Sequence, residues 1–207
     1  MDEATAQPDD APRFDGPLRF DGPLRFDDYG SFREWLRENQ DSSTGIWLLL
    51  AKKGSGQTTV TYAEALDAAL EFGWIDGQAK GIDDATYMQR FTPRRPQSPW
   101  SSRNRVFAET MIAEGRMAPR GLAEVERARN DGRWDRAYDG PATAQPHPDF
   151  LAALEANPAA AAFYATLNSQ NRFAIYYRVQ QAKRDETRAR RIADFVAKLE
   201  RGEKFYP

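Results

Sequence analysis

Apolar and polar positions alternate with two periods along this chain, and the change between them divides it. From residue 31 to about residue 91 short apolar runs are interleaved with helical stripes; from Ser98 onward the pattern is helical. Ser31 followed by Glu34 has the spacing of a capping box, and Phe32, Trp35 and Leu36 supply an apolar stripe behind it. Ile46–Lys52 (IWLLLAK) is a continuous apolar run of strand length, predicting a central buried strand that Gly54, Ser55 and Gly56 break. Thr61 and Glu64 repeat the capping-box spacing and open a helix whose Tyr62, Ala65, Leu66, Ala69 and Gly73 share one face, with Gly73 as its stop. Trp74–Ile75 and Tyr87–Phe91 then read as short strands joined by glycine- and aspartate-bearing bends.

Pro99 after Ser98 suits a helix start, and Gly115 and Gly132 suit stops, which brackets helices over 103–114 and 119–130. GPATAQPHP at 140–148 is a proline-rich linker. Helices over 149–156 and 159–167 follow, then a helical stretch over 169–201 that breaks near Asp185. The fold class is therefore α+β: a small N-terminal sheet with packed helices, then an all-helical C-terminal part. The organisation is a polar tail (1–22), an α+β domain (23–139), a linker (140–148) and a helical domain (149–207).

The tail contains a direct repeat, RFDGPL, RFDGPL, RFD, over residues 13–27. Two units and a fragment are too few for a solenoid, and the expected arrangement is a disordered extension whose last copy, Leu24-Arg25-Phe26, enters the fold as a strand. Charge follows the same division. Residues 1–28 carry eight acids against three arginines, which leaves the remainder at +3 within a total of −2. A body so weakly basic is poor grounds for a dedicated nucleic-acid binder.

Composition removes several chemistries. There is no cysteine, hence no disulfide, thiolate or cysteine–metal site, and the single histidine, His147, lies between two prolines. No cofactor and no metal is implied. No run of 18 apolar residues exists, and the N-terminus lacks the basic and apolar regions of a secretory signal, so a cytoplasmic location is expected.

The richest segment is Gly73–Asn104, GWIDGQAKGIDDATYMQRFTPRRPQSPWSSRN. Residues 89–105 hold five arginines (90, 94, 95, 103, 105) and no acid, a local excess that makes an anion site a candidate. Trp74, Asp76, Arg90, Arg94, Arg95, Ser98, Trp100 and Asn104 are the candidate binding residues. The competing reading puts Trp74 and Trp100 in the core and pairs the arginines with Asp76, Asp83 and Asp84. A second basic set, Lys183, Arg184, Arg188 and Arg191, falls on adjoining faces if 182–192 is helical, opposite an apolar stripe. No pattern for nucleophilic catalysis is present, and the glycines at 54–56 lack the GK[ST] end of a phosphate loop.

Taken in order, WLLLAKKGSG, ALDAALEFGWIDGQ, QRFTPRRPQSPWSSRN, EGRMAPRGLAEVERARNDGRW and AKRDETRARRI resemble the YdeI/OmpD-associated family, also labelled bacteriocin-protection, over about residues 24–204. The resemblance implies the same α+β and helical halves. Its name implies a link to envelope stress or to tolerance of antimicrobial peptides, and it carries over no catalytic residue. The reading is a non-enzymatic cytoplasmic protein that binds a small anion or a protein partner at the Trp/Arg segment. Two alternatives remain: a nucleic-acid binder using both arginine clusters, and an enzyme with Asp76 as acid or base.

Overall fold

The computed structural model describes residues 22–207, so the tail and the first repeats lie outside the described residues. Among the described residues, three strands and eight helices form two units with separate cores. β1 (Ile46–Ala51), β2 (Trp74–Gly81) and β3 (Thr86–Pro93) make one antiparallel sheet in the order β1-β3-β2. β3, and not β1, is therefore central. Its sequence, TYMQRFTP, mixes polar with apolar residues, and this hides a strand that is paired on both sides.

β1 earns its apolar run from burial on its faces. Ile46, Leu48 and Leu50 point into a core shared with Phe32, Leu36, Val60, Ala69 and Phe91. Its outer edge carries only a single parallel bridge: Leu24 donates to the Trp47 carbonyl and accepts from the Leu49 amide, both at 2.8 Å. The last repeat copy thus contributes one bridge and not a strand. Phe26 beside it packs on Phe32 and Trp35 at centroid distances of 5.3 and 6.2 Å.

α1 (Tyr29–Asn39) starts three residues earlier than a capping box at Ser31 would place it. Asp28 is the N-cap and accepts from the Ser31 amide at 2.8 Å, so Ser31 lies in the first turn and Glu34 pairs with Arg37. α2 (Tyr62–Glu71) has the expected box, with Thr61 and Glu64 each bonded to the other's backbone amide. Gly73, at φ +71°, ends it.

α3 (Ser102–Ala113) is capped by Ser101 and not Ser98. Ser98 instead closes a tight turn, its hydroxyl accepting from the Arg95 amide at 2.9 Å. α4 (Pro119–Asn130) packs so closely on the end of α2 that a Cβ at Gly121 would fall on the Glu71 carbonyl oxygen and the Met117 sulfur. Trp100, Trp134, Leu66, Leu70, Met111 and Val125 fill the space between α2, α3 and α4.

After residues 140–147 come α5 (Pro148–Glu155), α6 (Pro158–Thr166), α7 (Ser169–Gln180) and α8 (Asp185–Glu200), with α5, α6 and α7 all packed on α8. His147 caps α5, its Nδ1 accepting from the Asp149 amide at 3.2 Å. The two units meet at Tyr138 and Asp139. Tyr138 stacks edge-on against Tyr177 at 5.0 Å, and the Asp139 amide donates to the Tyr176 hydroxyl at 2.9 Å. No helix among the described residues is long and apolar enough to cross a membrane.

Candidate functional site

Strand periodicity places Asp76 on the same sheet face as Trp74, beside Phe91 on β3. Trp74 is fully buried and meets Trp35 edge-on at 5.9 Å, so it belongs to the core. Asp76 sits at the rim of that core, just before a bulge that shifts the β2 register by one residue. There the Tyr62 hydroxyl, at the first turn of α2, donates to Asp76 Oδ2 at 2.8 Å. Burial, and then the Asp76 charge, raises the Tyr62 pKa, so this phenol stays a donor and holds the carboxylate as an acceptor.

Arg94 follows β3 directly, and its amide is anchored to the Gly73 carbonyl at 3.0 Å. Its guanidinium carbon lies 3.5 Å from the centroid of the Trp100 ring, and the residue is only 4% exposed. One nitrogen, Nη1, donates to the Pro99 carbonyl at 3.2 Å. Nε and Nη2, the pair that forms a side-on fork, have no hydrogen-bond partner. Burial pulls the Arg94 pKa down to about 9; Tyr138, Glu124 and Asp76 counter this from a distance, and Arg133 adds to it. The group nonetheless stays charged at neutral pH.

Around this cation, buried donors outnumber acceptors. The Trp100 indole N–H and Arg133 Nη2 are unpartnered, against one open acceptor, Glu124 Oε2. Glu124 gives its other oxygen to Arg127 at 2.7 Å, and Arg133 is held by Asp131 and by the Ser98 carbonyl. Tyr138, whose pKa is pushed up to about 12 by burial first and then by Tyr177 and Asp76, stands between this centre and the helical unit.

Of the candidate residues, Arg94 and Trp100 thus touch, and Asp76 acts on the Arg94 charge from a distance. Asn104, 6% exposed in the first turn of α3, lies near Trp100 in sequence and receives the Ser101 cap through its amide. Arg90 does not join them: its guanidinium lies 6.0 Å from the Trp47 ring centroid, and burial lowers its pKa. Arg95 is exposed, and Ser98 serves the turn and Arg133. Arg103 lies over Phe107 and Arg105 reaches Glu109 at 3.8 Å.

The competing reading holds in part: the tryptophans are core, while Asp83 caps the hairpin bend by accepting from the Ala85 and Thr86 amides. The members missed from sequence are Tyr62, Glu124, Arg133 and Tyr138. Tyr62 read as an apolar helix position, and nothing local marks its hydroxyl.

The second basic set is not one helical face. Lys183 is exposed before α8, and Arg184 is the N-cap of that helix. Arg188 pairs with Asp185 and with Asp149 on α5, and Arg191 donates to the Arg178 carbonyl at 2.6 Å. Asp185 begins the helix, so the interruption expected near it removes two members from the face.

A three-stranded sheet unit carrying a buried, open cation, fastened to a four-helix unit, is the class that fold and site define. Residues 143–202, in the helical unit, match the family model described as Bacteriocin-protection, YdeI or OmpD-Associated. Residues 24–124 match a second model, described as a domain of unknown function (DUF8412). Neither the curated proteins nor the solved structures returned a match.

Proposed function

We propose that this chain is a non-enzymatic binding protein of the bacteriocin-protection or envelope-stress type. It acts in the cytoplasm and takes an anionic group of a small ligand or partner at the Arg94 centre. One observation carries the reading: Arg94 is nine-tenths buried, charged, and leaves its Nε/Nη2 fork without an acceptor. An unpaired buried cation costs folding free energy, and a carboxylate or phosphate oxygen pair is the group that matches that fork. Trp100 stacked on the guanidinium fixes its plane, so an arriving anion meets a pre-oriented donor pair.

The arginine clusters favour this over nucleic-acid contact, because Arg90, Arg188 and Arg191 are engaged with a ring, a carboxylate and a carbonyl within the chain. Thermal melts with phosphate, sulfate and malonate test it. The wild-type protein gains melting temperature as anion is added, by mass action, and Trp100 fluorescence changes with it, while Arg94→Met shows neither. An identical anion response in both proteins, or none in the wild type, overturns the reading.

A further inference from the structure

The helical unit holds a second polar feature, independent of Arg94, that reads peptide backbone. Asn171 on α7 is wholly buried, with 0% exposure. Its Oδ1 accepts from the Phe205 and Tyr206 amides at 2.9 and 3.0 Å, and its Nδ2 donates to the Tyr206 carbonyl at 3.2 Å. The side-chain amide thus grips both the N–H and the C=O of one residue, as a neighbouring strand would. Asn168 Oδ1, at 3.0 Å from Nδ2, sets which way round the amide sits.

The residues beside that grip form an aromatic and cationic seat. Phe205 meets Phe195 edge-on at 5.0 Å, with Lys198 and Arg178 at 5.0 and 5.1 Å from its ring centroid. Two residues earlier, Glu203 lies 3.8 Å from Lys198 and 2.8 Å from Arg201. Apart from the ion pairs of Glu203 with Lys198 and Arg201, everything that recognises the segment is either backbone-directed or a general aromatic contact. The family match ends at Gly202, so α7 and α8 of the family domain build the seat, and residues just beyond the match fill it.

We infer that Asn171, Arg178, Phe195 and Lys198 form a peptide-binding seat, occupied in cis by Glu203–Tyr206 as a stand-in ligand. It would accept in trans an extended peptide segment of the same chemistry: an acid, one spacer, then two aromatics. Backbone pairing through Asn171 supplies affinity, the Phe195 edge and the two cations select the first aromatic, and Lys198 selects the acid. The cis tail competes at a high effective concentration, so trans binding is weak until the tail is released.

The test uses the full chain and a fluorescently labelled hexapeptide of the sequence GEKFYP, with a scrambled version as control. The double variant Phe205→Ala, Tyr206→Ala binds the peptide about tenfold or more tightly than wild type, as removal of a tethered competitor requires. Adding Asn171→Ala to that variant abolishes the binding, and the scrambled peptide does not bind. Equal affinity of wild type and folded double variant overturns the inference, as does binding that survives loss of Asn171. Should the double variant fail to fold, amide hydrogen exchange on the wild type decides. Unlabelled hexapeptide in excess then speeds exchange at Phe205 and Tyr206 severalfold, and unchanged protection overturns the inference.

Discussion

Each unit of this protein buries a polar side chain almost completely, and the two are treated in opposite ways. In the helical unit, Asn171 has both ends of its amide satisfied by Asn168 and by the backbone of residues 205–206. In the sheet unit, Arg94 is buried to a similar degree yet keeps two of its three nitrogens open. Desolvation is costly for both, and costlier for the charge. A satisfied buried group fastens what it touches, whereas an unsatisfied one stores a cost that a ligand can remove. On the proposed reading, the first is a site already filled by its own chain and the second a site for an anion.

Substitutions at the two positions put this contrast to the test. Asn171→Ala removes three hydrogen bonds to the C-terminal segment and opens a small void, so it lowers stability by about 2–4 kcal/mol in denaturant melts. A loss under about 0.5 kcal/mol would show that the aromatic seat alone holds the segment. Arg94→Met exchanges the charge for an apolar chain that still covers Trp100. Without added anion the variant is as stable as wild type, or more stable by about 1–3 kcal/mol. A loss comparable to that of Asn171→Ala would show that Arg94 is as satisfied as Asn171 and would dissolve the contrast.

The smallest effects appear at alkaline pH and have opposite signs. Tyr138 ionises near its ordinary 10.0 when unfolded and at about 12 when folded, so the unfolded state releases its proton first. Its contribution is intact below pH 10 and is lost as pH climbs toward 12; Tyr138→Phe flattens that decline. Burial lowers Arg94 from its ordinary, strongly basic value to about 9 when folded, so above pH 9 the folded state sheds the proton first and the burial penalty eases. Arg94→Met removes this relief and steepens the alkaline loss. Stability measured from pH 8 to 11 in the two variants reads both slopes, and a shared sign would contradict the placement of one of them.

The elements legible in the sequence were those whose signal is local. The Thr61–Glu64 box, the stops at Gly73, Gly115 and Gly132, and the start of α4 at Pro119 depend on residues within a turn of one another. Ser31 and Ser98 misled because each had a competitor close by. Asp28 and Ser101 have the better geometry for capping, leaving Ser31 in the first turn of its helix and Ser98 to a turn. β1 reads as central because burial on the faces and pairing on both edges produce the same apolar run. For the candidate site, Asp76, Arg94 and Trp100 were legible as a dense segment. Tyr62, Glu124, Arg133 and Tyr138 reach them from up to tens of residues away and carry no local mark.

By itself, then, the sequence determined the helix boundaries set by caps and glycines, the division into an α+β part and a helical part, and the local excess of arginine over residues 89–105. These follow from backbone propensity, periodicity and composition, all properties of neighbours along the chain. Only the tertiary structure decided which strand is central, which arginines find carbonyls, rings or carboxylates, and that Arg94 keeps two nitrogens without a partner. Desolvation and hydrogen-bond satisfaction depend on what surrounds a group in space. For Arg94 those surroundings come from β2, α2, α4 and the Tyr138 segment together.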